Sequence, residues 1–247
     1  MSLRHRLLRN PVDRIDVLAN LNAGKGKNRT VGAETRSKLM EVFKDSGSGV
    51  SHRFHATEDL PGLGCVIEGM LQEPPAMIIV IGGDGTVQKT VDCIIKKFQT
   101  AQATLPMIMI LGAGTVNAIR NAYELLGPDP EKGRDAVFKK IRRGEQPDVI
   151  HRSILKVSGE KGLLVHGFIV GLGLPVRFLE RYYCYQPPRG FVCAARASLR
   201  IVINELLRLV PFLGRRSIAD RFPAEYELWS DDQLIATHRE SFSGIVM

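Results

Sequence analysis

The sequence predicts an α/β fold followed by a mostly-β second part, and three observations carry that prediction. Two segments, AMIIVI at 76–81 and PMIMIL at 106–111, are continuously apolar. Runs of that kind suit strands covered on both faces, as in a parallel sheet. Both runs, and a shorter one at 14–19 (RIDVLA), end in a Gly-rich turn that leads into helical spacing. Repeated strand–turn–helix units argue for a parallel sheet with crossover helices. Past Pro147 the pattern changes to short strand candidates, which predicts antiparallel pairing.

Each element follows from local pattern. The first strand, 14–19, breaks at Asn20–Lys27 (NLNAGKGK). Residues 34–43 have helical spacing, with Leu39, Met40 and Phe43 on one side. A weak strand is expected at 51–54, and a helix at 63–71 after the breaker Pro61-Gly62. The buried strand at 76–81 is followed by a helix over 86–98, and the strand at 106–111 by a helix over 116–126. A basic helix is expected at 135–143. Further strand candidates are 150–157, 163–170, 224–229 and 234–238, the last two joined by the turn Ser230-Asp231-Asp232-Gln233 as a hairpin. A long helix over 191–209 interrupts them. Domains are expected at 1–146 (α/β) and 147–247 (β-rich). The final SGIVM reads as the start of a strand, so the second domain is expected to be incomplete.

Composition bounds the function. The 247 residues are 44% hydrophobic and 24% charged, which suits a globular chain with a sizeable core. No apolar run approaches the ~20 residues of a bilayer span, and the basic N-terminus lacks the apolar core of a signal peptide. Cys65, Cys93, Cys184 and Cys193 show no CxxC pair and read as reduced thiols of a cytoplasmic protein. The net charge of +8 favours an anionic partner. Aromatic residues are only 6% and no nucleic-acid-binding signature is present. No HExxH or GxSxG spacing occurs, which gives His52, His55, His151 and His166 no metal or nucleophile pattern.

The chemistry concentrates in three turns. Gly82-Gly83-Asp84-Gly85-Thr86 sits between a buried strand and a helix, where glycines admit a phosphate to the backbone and the helix N-terminus supplies N–H groups. Asp84 would repel a bare phosphate. It makes sense if it orients Mg²⁺ or accepts a proton from an attacking hydroxyl. The plainer reading is a turn whose Asp caps the helix. Gly112-Ala113-Gly114-Thr115, followed by Asn117, is a second such turn, or a connection with Thr115 as N-cap. Asn20–Lys27 is the third. It lacks the Walker G-x-x-x-x-G-K-[ST], because Asn28 follows Gly26-Lys27, but Lys25 and Lys27 can neutralise phosphate.

Together these residues resemble the diacylglycerol kinase catalytic-domain family, which includes sphingosine and ceramide kinases and soluble bacterial lipid kinases. NLNAGKGK is similar to that family's NPxxGKGK block, Thr57-Glu58 to its Thr-Glu position, IGGDGTVQKTVDCI to its GGDGT block and LPMIMILGAGTVNAI to its GTxN block. Asp148 stands where an acid often follows the next helix. The resemblance implies a nucleotide-binding α/β domain and a β-sandwich-like domain around a cleft for ATP, Mg²⁺ and a lipid hydroxyl. Carried over by position, Asn22, Gly24, Lys25, Thr57, Gly83, Gly85, Thr86, Gly112, Gly114, Thr115 and Asn117 bind the nucleotide. Asp84 becomes the catalytic or metal-orienting carboxylate.

The departures bear on activity. The family's usual Asn-Glu after GGDGTx is Gln88-Lys89 here, its Pro in the first block is Leu21, and Ala118 follows GTVN. Sphingosine kinases place an acid after the glycine matching Gly173. Here Leu174-Pro175-Val176-Arg177 follow, and Arg177 suits a neutral or anionic lipid better than an ammonium. The family's late acidic segment lies beyond Met247. The expectation is therefore an ATP- and Mg²⁺-dependent kinase acting on a lipid alcohol, diacylglycerol first. The alternatives are an NAD kinase-like enzyme and a non-catalytic nucleotide- or membrane-binding relative. A homodimer stays open. The helix at 191–209 carries Arg196, Arg200 and Arg208 opposite Leu199, Val202, Ile203, Leu206 and Leu209. The expected reading is a core helix with its arginines in water, and the rival is contact with an anionic membrane surface.

Overall fold

A computed structural model describes residues 12–21, 27–44, 49–112, 119, 121, 126–159, 162–168, 171–184, 191–208, 222–230, 233–242 and 244–246. The helix expected over 116–126 falls almost wholly outside them. Contacts divide the chain into two compact units, residues 3–168 and 169–247.

The first unit is built on a four-stranded parallel sheet of order β2-β1-β3-β4, with β1 Arg14–Asn20, β2 Ser51–Thr57, β3 Met77–Gly82 and β4 Met107–Gly112. Every residue of β3 is buried, as its apolar run requires. Alternate side chains serve two cores. Ile15, Val17, Ile79, Ile81 and Met109 pack with Leu39 and Phe43 of α1 (Lys27–Phe43) and Phe138 and Ile141 of α4 (Pro130–Arg142). Leu18, Ile78, Val80 and Ile110 pack with Ile67 and Met70 of α2 (Leu60–Met70) and Val91, Ile94 and Phe98 of α3 (Asp84–Thr100). The sheet is therefore sandwiched between helical layers, the arrangement expected for parallel strands.

Helix ends follow their caps. Asp59 accepts from the Gly62 N–H at 2.7 Å and starts α2 three residues earlier than periodicity predicts. Asp129 accepts from Glu131 and Lys132 and starts α4 at Pro130, ahead of the expected 135. The antiparallel hairpin of β5 (Leu155–Ser158) and β6 (Leu164–Gly167) packs on α3 inside this unit.

The second unit holds β7 (Gly171–Gly173), paired antiparallel with β10 (Gly244–Val246), and the hairpin β8 (Phe222–Ser230) with β9 (Gln233–Phe242). The hairpin turn falls where the sequence places it. Between these lie α5 (Leu174–Tyr183) and α6 (Phe191–Arg208). Helix α5 has no forerunner in the sequence reading. Gly173 caps its N-terminus at φ 70°, a left-handed conformation that disfavours any residue with a Cβ. Among the described residues no helix is long and apolar enough to cross a membrane.

Candidate active site

Parallel strands bring their C-terminal ends to one edge of the sheet. Asn20 lies opposite Thr57, and Gly82 opposite Gly112. The strand order reverses between β1 and β3, since the chain steps outward to β2 on one side and to β4 on the other. Ligands of open α/β sheets bind in the crevice at such a switch point. Here the crevice is spanned by a hydrogen bond from Asn20 Nδ2 to Thr86 Oγ1 at 3.0 Å. Beside it opens a cavity of about 180 Å³, lined by Asn20, Thr57, Glu58, Asp59, Leu63, Gly85 and Thr86.

The β3–α3 turn is shaped by its glycines. A Cβ on Gly82 would stand 2.5 Å from Thr86 Cβ, so the Thr86 side chain folds over bare backbone. Gly83 is the N-cap of α3 and brings no capping side chain. Gly85 differs: a Cβ there would meet, among the described residues outside its own helical turn, nothing within 4 Å, although the residue borders the cavity. Packing gives no reason for that glycine, whereas close approach of a ligand to the backbone does.

Asp84 opens α3, and its Oδ1 accepts from the Ile119 N–H, on the segment after β4, at 3.1 Å. The carboxylate thus ties the start of α3 to Ile119, seven residues past the end of β4. Among the sequence-predicted site residues, Thr57, Gly85 and Thr86 line the cavity, Gly83 and Asp84 form the start of α3, and Gly112 ends β4 beside Gly82. Asn22, Gly24, Lys25, Gly114, Thr115 and Asn117 lie outside the described residues. Asp148 is exposed and pairs with Lys140 at 2.6 Å.

Two side chains of α3, Gln88 and Asp92, have a supporting role that the motifs do not show. Gln88 Nε2 donates to the His166 carbonyl at 2.6 Å, and Gln88 Oε1 accepts from the Phe168 N–H at 3.3 Å. Asp92 Oδ1 accepts from the His166 N–H at 2.8 Å and lies 3.2 Å from His166 Nδ1, while Oδ2 pairs with Lys96. Burial pushes the Asp92 carboxyl up, but the bonds from Lys96 and His166 outweigh it and hold it below the usual carboxylate range. The signal was present: Asp84, Gln88, Asp92 and Lys96 recur every four residues on a helix whose other face is apolar.

A second polar network braces the opposite end of the sheet. Arg14 grips the fully buried Asp16 with two bonds of 2.8 and 2.7 Å, and His55 Nε2 lies 3.2 Å from Asp16 Oδ2. Burial raises the Asp16 carboxyl, and the hydrogen bonds from His55 and Arg14 more than reverse this. Arg14 also reaches Glu73, which binds Arg53.

Comparison with known proteins adds three findings. Residues 14–149 match the family model of the diacylglycerol kinase catalytic domain. A crystal structure assigned as a diacylglycerol kinase from Bacillus anthracis str. Sterne superposes with a TM-score of 0.56 at 16% identity, covering 96% of this chain and 64% of that one. Another diacylglycerol kinase structure from the same organism gives 0.53 at 17% identity with the same coverage. The chain therefore spans about 64% of the length of these structures, and at such identity the likeness is one of fold. No curated protein matches the sequence.

Proposed function

This chain belongs to the diacylglycerol kinase catalytic domain family, and on that premise we propose that it is an ATP- and Mg²⁺-dependent kinase of a neutral lipid alcohol, diacylglycerol first. The observation that carries the reading is Gly85, a glycine without a packing reason, bordering a cavity at the switch point and next to Asp84. The donor set suits the nucleotide. The start of α3, which no side chain caps, offers its N–H groups to phosphate, and the family resemblance assigns Lys25 to phosphate as well. Glu58 and Asp59 at the exit of β2 repel phosphate, so they mark the ribose end, where an acid bonds hydroxyls in comparable sheets. Asp84 supplies one carboxylate, which suffices for Mg²⁺ because that ion takes its remaining ligands from phosphates and water.

Phosphoryl transfer asks a protein mainly for positioning and charge neutralisation. The Ile119 N–H fixes the rotation of the Asp84 carboxylate. So held, Asp84 would take the proton of the lipid hydroxyl as that oxygen bonds the γ-phosphorus and the bond from the γ-phosphorus to the β–γ bridging oxygen breaks, releasing ADP, or else it would orient the metal. Bound Mg²⁺ supplies neutralisation of the phosphate oxygens. Asn20 and Thr86 hold the crevice at its working width. The four free cysteines suit work in the reducing cytoplasm.

One observation favours a second reading, a nucleotide-binding relative without catalysis. The Asp84–Ile119 bond gives that carboxylate a structural use of its own. Incubation with labelled ATP, Mg²⁺ and mixed micelles of lipid alcohols, with NAD in parallel, separates the readings. Labelled lipid supports the kinase, labelled dinucleotide supports an NAD kinase-like enzyme, and ATP binding without transfer supports the second reading.

A further inference from the structure

Helix α6 is turned with its apolar stripe outward, contrary to the core helix expected from its sequence. At about 100° per residue, Val192, Leu199, Val202, Ile203 and Leu206 fall within one sector, and their exposures run from 45% to 62%. Ala197, on the other side of the helix, is fully buried and marks the face that seats on the protein. Arg196 and Arg200 are exposed and run along one flank of the apolar stripe. Helix α5, which packs against α6, adds exposed Val176 and Leu179. Isolated exposed apolar residues are ordinary, but five on one helical sector form a patch that needs an occupant.

We propose that this face of α6 docks on an anionic lipid surface. The charge decides the occupant. An apolar stripe edged by arginine, in a chain of net charge +8, matches the boundary between acyl chains and anionic headgroups. Arginine stems lie along apolar surface while their guanidinium groups reach the headgroup level. A protein groove would need carboxylates placed opposite Arg196 and Arg200, whereas an anionic bilayer presents them everywhere. The inference is independent of the kinase reading, since docking needs neither nucleotide nor Asp84.

The test is co-sedimentation of the 247-residue chain with vesicles of phosphatidylcholine alone or with one-third phosphatidylglycerol. Binding is expected to the anionic vesicles and to weaken with salt. Arg196→Glu/Arg200→Glu should weaken it by at least roughly fivefold per arginine. Leu199→Ser/Leu206→Ser should lose binding while leaving circular dichroism and ATP binding unchanged, because both side chains face water. Lys132→Glu/Lys139→Glu on α4 makes the same charge change elsewhere and should leave binding within about twofold of the unaltered chain. Equal binding to both vesicle types, equal loss in the α4 variant, or no vesicle binding together with a dimer dissolved by the leucine changes would each overturn the proposal.

Discussion

Gly167 and Gln88 form a pair whose energetics can be worked out in advance. Gly167 sits between the two backbone groups that the Gln88 amide clamps, and a Cβ on it would collide with that amide. The amide ends a flexible side chain, so in Gly167→Ala it swings away and both hydrogen bonds are lost. Each is worth about 1 kcal/mol net, and the stranded His166 carbonyl brings the sum to about 2–3 kcal/mol. Gln88→Ala loses the same two bonds and should cost the same. Once the amide is gone, the added methyl has room, so the double variant should cost no more than either single one. The expected coupling is therefore about −2 to −3 kcal/mol, the signature of one interaction removed twice. Urea unfolding followed by far-UV circular dichroism measures it. Additive costs of about 4–6 kcal/mol in the double variant would refute the reasoning.

Three further outcomes are expected. Asp84→Asn keeps an acceptor for the Ile119 N–H, so folding and ATP affinity should stay within about threefold while phosphoryl transfer falls by at least ~100-fold; full activity by labelled-lipid assay would remove Asp84 from the mechanism. Gly82→Ala pushes Thr86 away and breaks its bond to Asn20, costing roughly 1–3 kcal/mol and at least ~10-fold in nucleotide affinity by titration calorimetry; unchanged affinity would detach that turn from the site. Asp16→Asn leaves the buried Arg14 guanidinium with only the exposed Glu73 as counter-charge and should cost about 3 kcal/mol at neutral pH. Because the Asp16 carboxyl is depressed in the fold, its stabilisation is complete above the unfolded value near ~3.9 and fades as pH falls through the lower folded value. An acid titration of stability should show that loss in the unaltered chain and not in the variant.

The sheet was legible because burial on both faces leaves a local trace. The runs at 76–81 and 106–111 needed no partner to be read as strands, and their Gly-rich ends marked the edge where the turns gather. Helix starts were less legible, since Asp59 and Asp129 act through caps that lie outside the apolar period. Helix α5 went unread because its start depends on the φ of Gly173, a tertiary property. For α6 the amphipathic pattern was clear, but pattern alone does not say which face meets the protein. The clamp made by Gln88 and Asp92 joins residues more than seventy positions apart, which no motif window spans.

That clamp changes the meaning of the Gln88-Lys89 departure. Read in sequence, a cation in place of the usual carboxylate threatens the charge balance behind the Asp84 turn. In the fold the two positions divide the work. Gln88 turns inward and holds the backbone of β6 with a neutral amide. Lys89 is exposed and does not line the cavity. An exposed ammonium is screened within about 8–10 Å by salt, whereas Glu58 and Asp59 line the cavity and Asp84 adjoins its lining residue Gly85. Among the described residues, the field at the cavity is thus set by those acids and by the start of α3. The position that looks most disabling on paper bears on how α3 is anchored, through its neighbour Gln88, more than on the charge at the reacting end.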